Sequence, residues 1–148
     1  MTRRILGVAA AGALALGGLS AQAAENPPAA KSIVGTWLAS YDGGTHIGYI
    51  QWQKGGTVLN EMDFAPKTGN ILIGDWTANN DGTDTFTVFG WTYDDKGKSR
   101  TGYFTKTETD TVSGTTYGGN FEVTYYDLSG NITFQHSGSL TATRVSAQ

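Results

Sequence analysis

From Ser32 onward, apolar and polar residues alternate with a period of two, and no stretch repeats its apolar residues at helical spacing. Alternation of this kind marks strands with one buried and one solvated face. Turn-forming clusters interrupt it at regular intervals: Asp42-Gly43-Gly44, Lys54-Gly55-Gly56, Pro66-Lys67-Thr68-Gly69, Asn79-Asn80-Asp81-Gly82, Asp94-Asp95-Lys96-Gly97 and Asp127-Leu128-Ser129-Gly130. The fifth and sixth share one form, Tyr-Asp, two residues, then Gly, which suits a type I turn closed by a left-handed glycine. The spacing predicts strands over 34–41, 46–53, 57–64, 70–77, 85–93, 99–107, 111–127 and 131–145.

Gly118-Gly119 reads either as a turn, giving nine strands, or as a bend inside one long strand, giving eight. Closure favours eight. An up-and-down barrel needs an even number for its first and last strands to pair antiparallel, and closing the sheet removes its exposed edges. The expected fold is therefore all-β, an eight-stranded antiparallel up-and-down β-barrel, wide enough for side chains or one small ligand. A β-sandwich with a filled core is the competing architecture.

The first 23 residues do not fit this pattern. Arg3 and Arg4 precede an apolar run from Ile5 to Leu19, and Ala21-Gln22-Ala23 is a small-x-small cleavage site. This reads as a bacterial secretory signal peptide, either of ordinary type or of the twin-arginine type, with a periplasmic or secreted destination. Residues 24–32, with Pro27-Pro28, read as a flexible leader, and 33–146 as one barrel domain. The apolar run is too short for a comfortable membrane span, so no membrane insertion is expected after the signal is removed.

Of the ten basic residues, Arg3 and Arg4 leave with the signal; eight remain against thirteen acidic ones, a net charge of −5. No basic stripe is left, so nucleic acid is not an expected partner. The chain contains no Cys, which excludes thiol catalysis and disulfide support. Two His and scattered carboxylates show no metal-ligand spacing, and no serine elbow, phosphate loop or nucleotide fingerprint is present, so no metal or cofactor is expected.

In an eight-stranded barrel the first strand begins, and the last strand ends, at the same rim. Trp37 and Arg144 should therefore meet at the barrel floor. There Gly35 permits a tight passage, Trp37 plugs the base, and the Arg144 guanidinium lies over the indole. On the last strand Ile132, Phe134, His136, Gly138, Leu140, Ala142 and Arg144 share the expected inward face, which puts His136 inside the upper half. Tyr41 on the first strand, and Asn60 and Met62 on the third, also point inward, and His46 sits at the mouth. In strands two, five and six, aromatic residues lie on both faces, so the inward set is open. The environment of His136 is open too. If Asp127 pairs with Asn131, then Glu122 faces His136 and a carboxylate–imidazole pair results. A loop one residue shorter puts Val123 there instead.

Gly35-Thr36-Trp37 on the first strand, with Arg144 near the end of the last, resembles the signature of the lipocalins and their wider calycin superfamily. The resemblance implies a barrel closed below by Trp37 and Arg144, and a Thr-Asp pair in the turn before the seventh strand, matched by Thr109-Asp110. The chain departs from the lipocalin pattern in having no helical segment after the last strand and no disulfide pair. Avidins share the Gly-x-Trp start, but their dense set of polar biotin contacts is not seen.

The expected function is binding of a small hydrophobic or aromatic molecule inside the barrel, through Tyr41, His46, Asn60, Met62, Phe134 and His136. A barrel-type cyclase or isomerase is the alternative, by analogy of architecture with allene oxide cyclases, with His136, Glu122, Tyr125 and Asn60 as candidate catalytic groups. A filled barrel without a ligand is the third reading. The sequence specifies neither the ligand nor the oligomeric state.

Overall fold

The computed structural model describes residues 32–66 and 69–145. The proposed signal peptide and most of the leader lie outside them. Eight strands follow in order: β1 (Gly35–Tyr41), β2 (His46–Trp52), β3 (Thr57–Met62), β4 (Ile71–Ala78), β5 (Asp84–Tyr93), β6 (Arg100–Ser113), β7 (Thr116–Asp127) and β8 (Ile132–Arg144). Each pairs antiparallel with the next, and β8 pairs with β1, so the sheet closes into an eight-stranded antiparallel up-and-down barrel, as expected.

The two Tyr-Asp turns close as their sequence predicts. Gly97 and Gly130 take φ of 66° and 86°, and the Asp94 and Asp127 side chains accept backbone hydrogen bonds within their own loops. Gly118 and Gly119 lie inside β7, so the count is eight. Gly119 is needed there because a β-carbon would collide with the Thr109 carbonyl and the Asp110 carboxyl on the neighbouring strand.

The sixth and seventh strands differ from expectation. The turn falls at Gly114, not near Thr109-Asp110, and both of those residues sit within β6. The Thr-Asp match to the lipocalin turn is therefore incidental. The run Thr105, Thr107, Thr109 and Thr111 forms the outer face of β6. Thr107 and Thr109 bond across to Thr87 and Thr85 of β5 at 3.0 and 3.1 Å.

The last hairpin follows both expected registers at once. Asp127 N–H donates to the Asn131 carbonyl, as the turn chemistry demands. A bulge then places Tyr126 opposite Ile132 and Tyr125 opposite Phe134, so Thr133 is extra and Val123 faces His136. The extra residue lets the turn close without moving the apolar side of β7 out of the barrel.

The floor is built as anticipated. The Arg144 guanidinium lies 4.1 Å from the Trp37 ring centroid and donates to the carbonyls of Val34 at 2.9 Å and Ser32 at 2.5 Å. Trp37 is fully buried, and its Nε1 donates to Ile33 O at 2.7 Å. Above it the rings of Tyr117, Trp52 and Phe86 pack edge to face, with centroids 4.8–6.1 Å apart, and fill the lower barrel. Trp52, Phe86 and Phe104 are the inward aromatics of strands two, five and six, while Tyr49, Phe89 and Trp91 face outward.

The wall is uneven in height. β1 meets β8 only from Tyr41↔Leu140 downward, while β7 continues to pair with β8 up to Ile132. The upper half of β8 thus rises above the closed barrel. Ile132 and Phe134, expected inside, are more than half exposed, and His136 sits at the rim rather than within.

Replacing Arg144 with Ala removes the cation–π contact and two hydrogen bonds at once. Urea unfolding should show a stability loss of about 1–3 kcal/mol.

Candidate functional site

β6 carries Phe104, Lys106, Glu108 and Asp110 at alternate positions, and all four side chains are buried inside the barrel. Lys106 Nζ donates to Glu108 Oε1 at 2.5 Å, to Asn60 Oδ1 at 2.6 Å and to the Tyr41 hydroxyl at 2.7 Å. Tyr41 in turn donates to Glu108 Oε1 at 2.7 Å, and Asn60 Nδ2 donates to Tyr49 O at 3.1 Å. The three ammonium protons are thus all engaged. The ammonium also lies 4.3 Å from the Tyr41 ring centroid.

Desolvation governs the titration of this group. Burial pulls the Lys106 ammonium below the ordinary amine range, with the charge of Glu108 opposing it. Burial, then the Glu108 charge, pushes the Tyr41 hydroxyl well up. Deeper still, burial and then Glu108 push the Asp110 carboxyl up to about 9, so it is protonated at neutral pH. Five buried polar atoms have no partner among the described residues: Glu108 Oε2, both Asp110 oxygens, the Tyr117 hydroxyl and Trp52 Nε1. Each is a place where a missing hydrogen bond costs stability.

Above Lys106 a cavity of about 80 Å³ opens at the mouth. Tyr41 and Lys106 form its floor, and Met62, Leu72, Phe104, Phe121 and Val123 form its walls. Two His–Asp pairs stand at its rim. His136 Nε2 is 2.9 Å from Asp42 Oδ2, and Ser139 N–H donates to Asp42 Oδ1 at 3.2 Å. His46 Nδ1 is 3.1 Å from Asp63 Oδ1, and its ring packs edge-on to Phe64. Asp42 adopts φ of 46°, and Gly138 opposite leaves the space that its carboxylate occupies. The hydrogen bond from His136 holds the Asp42 carboxyl below its usual range.

The residues expected from sequence divide accordingly. Tyr41, Asn60 and Met62 come together around Lys106, and His46 and His136 stand at the rim above them. Glu122 lies opposite Ser137 and is exposed, so it does not reach His136, whose carboxylate partner is Asp42. Phe134 lies tilted against Tyr125, with ring centroids 5.8 Å apart, and burial raises the Tyr125 hydroxyl. Sequence reasoning missed Lys106, Glu108 and Asp110. The available signal was the unbroken Thr alternation at 105–111, which assigns the other face to these residues.

A larger recess, about 680 Å³, lies on the outer wall among Ile71, Ile73, Phe89, Trp91 and Leu128. Its charged member, Arg100, is stacked on Trp91 at 4.7 Å. Of these two recesses, the interior one joins apolar walls to converging buried polar groups, and it is therefore the candidate site. Among the described residues no three His, Asp or Glu are grouped to hold a metal ion, and no helix is long and apolar enough to cross a membrane.

No protein-family model matches the chain, and no curated protein matches it. Among solved structures, bradavidin 2 in its apo form aligns at 14% identity over 76% of this chain and 97% of that one, with a TM-score of 0.46. A likeness at that level says nothing about the site.

Asp110 makes a pH dependence measurable. In the fold it keeps its proton to about pH 9, whereas the unfolded chain releases it near pH 4. Between those values the folded state binds more protons, so stability falls as pH rises, by up to ~1.4 kcal/mol per pH unit. Urea melts across this window should show the decline, and Asp110→Asn should flatten it and be the more stable form at pH 8. An identical slope in the variant would mean that Asp110 is ionised in the fold.

Proposed function

We propose that the protein is an exported binding barrel for a small molecule with an apolar body and a polar head. The observation that carries this reading is the mouth cavity, apolar on its walls and ending on Lys106 and Tyr41. The ligand body lies between Phe104 and Phe121, and its head meets the floor. The rings of Trp37, Trp52, Phe86 and Tyr117 fill the barrel below, so the ligand enters only the upper part. The signal-peptide pattern of residues 1–23 supports export.

One observation favours a second reading, a cyclase or isomerase of the barrel type. Lys106, Tyr41 and Glu108 form a hydrogen-bonded chain at the cavity floor, able to hold or pass a proton. In that case these groups, rather than His136, stand nearest the substrate.

Titration with small carbonyl compounds, acids and amines, followed by intrinsic Trp and Tyr fluorescence, tests the site. One chemical class should give a saturable change. Val123→Trp should fill the entry and weaken binding by about tenfold or more, equivalent to ~1.4 kcal/mol, with an unchanged circular dichroism spectrum. No saturable response to any class would remove the cavity as a ligand site.

A further inference from the structure

We infer that Lys106 captures a small neutral aldehyde or ketone as a covalent iminium at the floor of the mouth cavity. This rests on the cavity being the ligand site and goes further by naming the chemistry of the ligand's head.

Charge and hydrogen-bond supply at the floor exclude charged ligands. A carboxylate or phosphate ligand finds no free donor, because the ammonium protons of Lys106 already go to Glu108, Asn60 and Tyr41. It would also place a second anion beside Glu108 in a desolvated space. A cationic ligand meets Lys106 itself. A neutral carbonyl brings no charge, and the cavity leads it to the one amine among the described residues that is buried. Lys54, Lys96 and Lys98 are all exposed.

The reaction balances with the groups present. Glu108, 2.5 Å away, takes one proton from the ammonium. The free amine attacks the carbonyl carbon, forming the C–N bond, and the oxygen gains a proton from the nitrogen to give a carbinolamine. Glu108 then returns its proton to the hydroxyl, which leaves as water as the C=N bond forms. One ammonium and one carbonyl become one iminium and one water. The positive charge stays on the same nitrogen beside the same carboxylate, so the interior remains neutral throughout. The acceptors left by the lost ammonium protons, Asn60 Oδ1 and the Tyr41 hydroxyl, are placed to hold the released water. Burial, which lowers the proton affinity of Lys106, favours the nucleophilic form.

The cavity of about 80 Å³ is smaller than the ~150 Å³ that holds a benzene ring. An unbranched chain fits it best, with its tail leaving between His46 and His136.

The test incubates the full protein with substoichiometric hexanal, reduces with cyanoborohydride and locates the label by peptide mapping. Lys106 should carry the hexyl group at about tenfold or more over Lys54, Lys96 and Lys98. Hexanol, of the same shape but without a carbonyl, should slow the labelling. Lys106→Arg should lose it while keeping the barrel's circular dichroism. Because the site is mapped in the unaltered protein, the result does not depend on that variant folding. A saturable fluorescence response to hexanal with Lys106 unlabelled overturns covalent capture and leaves the cavity as a reversible site. Neither response nor label at Lys106 overturns both.

Discussion

The five residue pairs that join β1 to β8, from Trp37↔Arg144 to Tyr41↔Leu140, turn a twisted sheet into a closed vessel. Without them both strands would present unpaired backbone groups. With them, eight strands enclose a space wide enough for side chains or one small ligand. Arg144 reinforces this seam by binding the chain that enters beneath it, through the carbonyls of Val34 and Ser32, and by covering Trp37. Closure also sets an electrostatic condition. Water is excluded from the lower interior, so every polar group on an inward position must find its partner inside or lose the energy of hydration.

The inward line of β6 meets that condition unevenly. Lys106 and Glu108 offset one another's charge, and Tyr41 and Asn60 complete the shell around the ammonium. Asp110, one step lower, has no such partner and stays neutral by keeping its proton. A buried pair of this kind is weak evidence for stability, since apolar residues of the same volume often serve better. Its place at the base of the mouth cavity is what gives it functional weight.

The architecture was legible because turn residues carry their own mechanism. Gly97 and Gly130 supply left-handed conformations that other residues resist, and Asp94 and Asp127 bond their own loops, so the strand count follows. The Trp37–Arg144 seam followed from closure alone. The site was harder to read, for two physical reasons. The rule that polar residues face out fails on β6, where the Thr ladder faces solvent and the charged residues face in. Thr109-Asp110 accordingly looked like a turn. The register of the last hairpin was undecidable because turn chemistry and apolar pattern disagreed by one residue, and a bulge that satisfies both leaves no mark on the alternation. Tyr41, Asn60 and Met62 lay on strands with a clean apolar face and so were placed correctly without their partner, Lys106, being visible.

The short mouth loops have a kinetic meaning. Residues 42–45 and 128–131 are four-residue connections, and the Asp42–His136 and His46–Asp63 pairs fasten the rim to the neighbouring strands. Neither of these two connections is long enough to swing across the opening, so neither gates the exchange of a guest. On that side of the mouth, dwell time is set at the bottom of the cavity rather than at its entrance. A guest held by apolar contact alone departs quickly, and retention in an open-topped vessel falls to whatever bond its head can make with the floor.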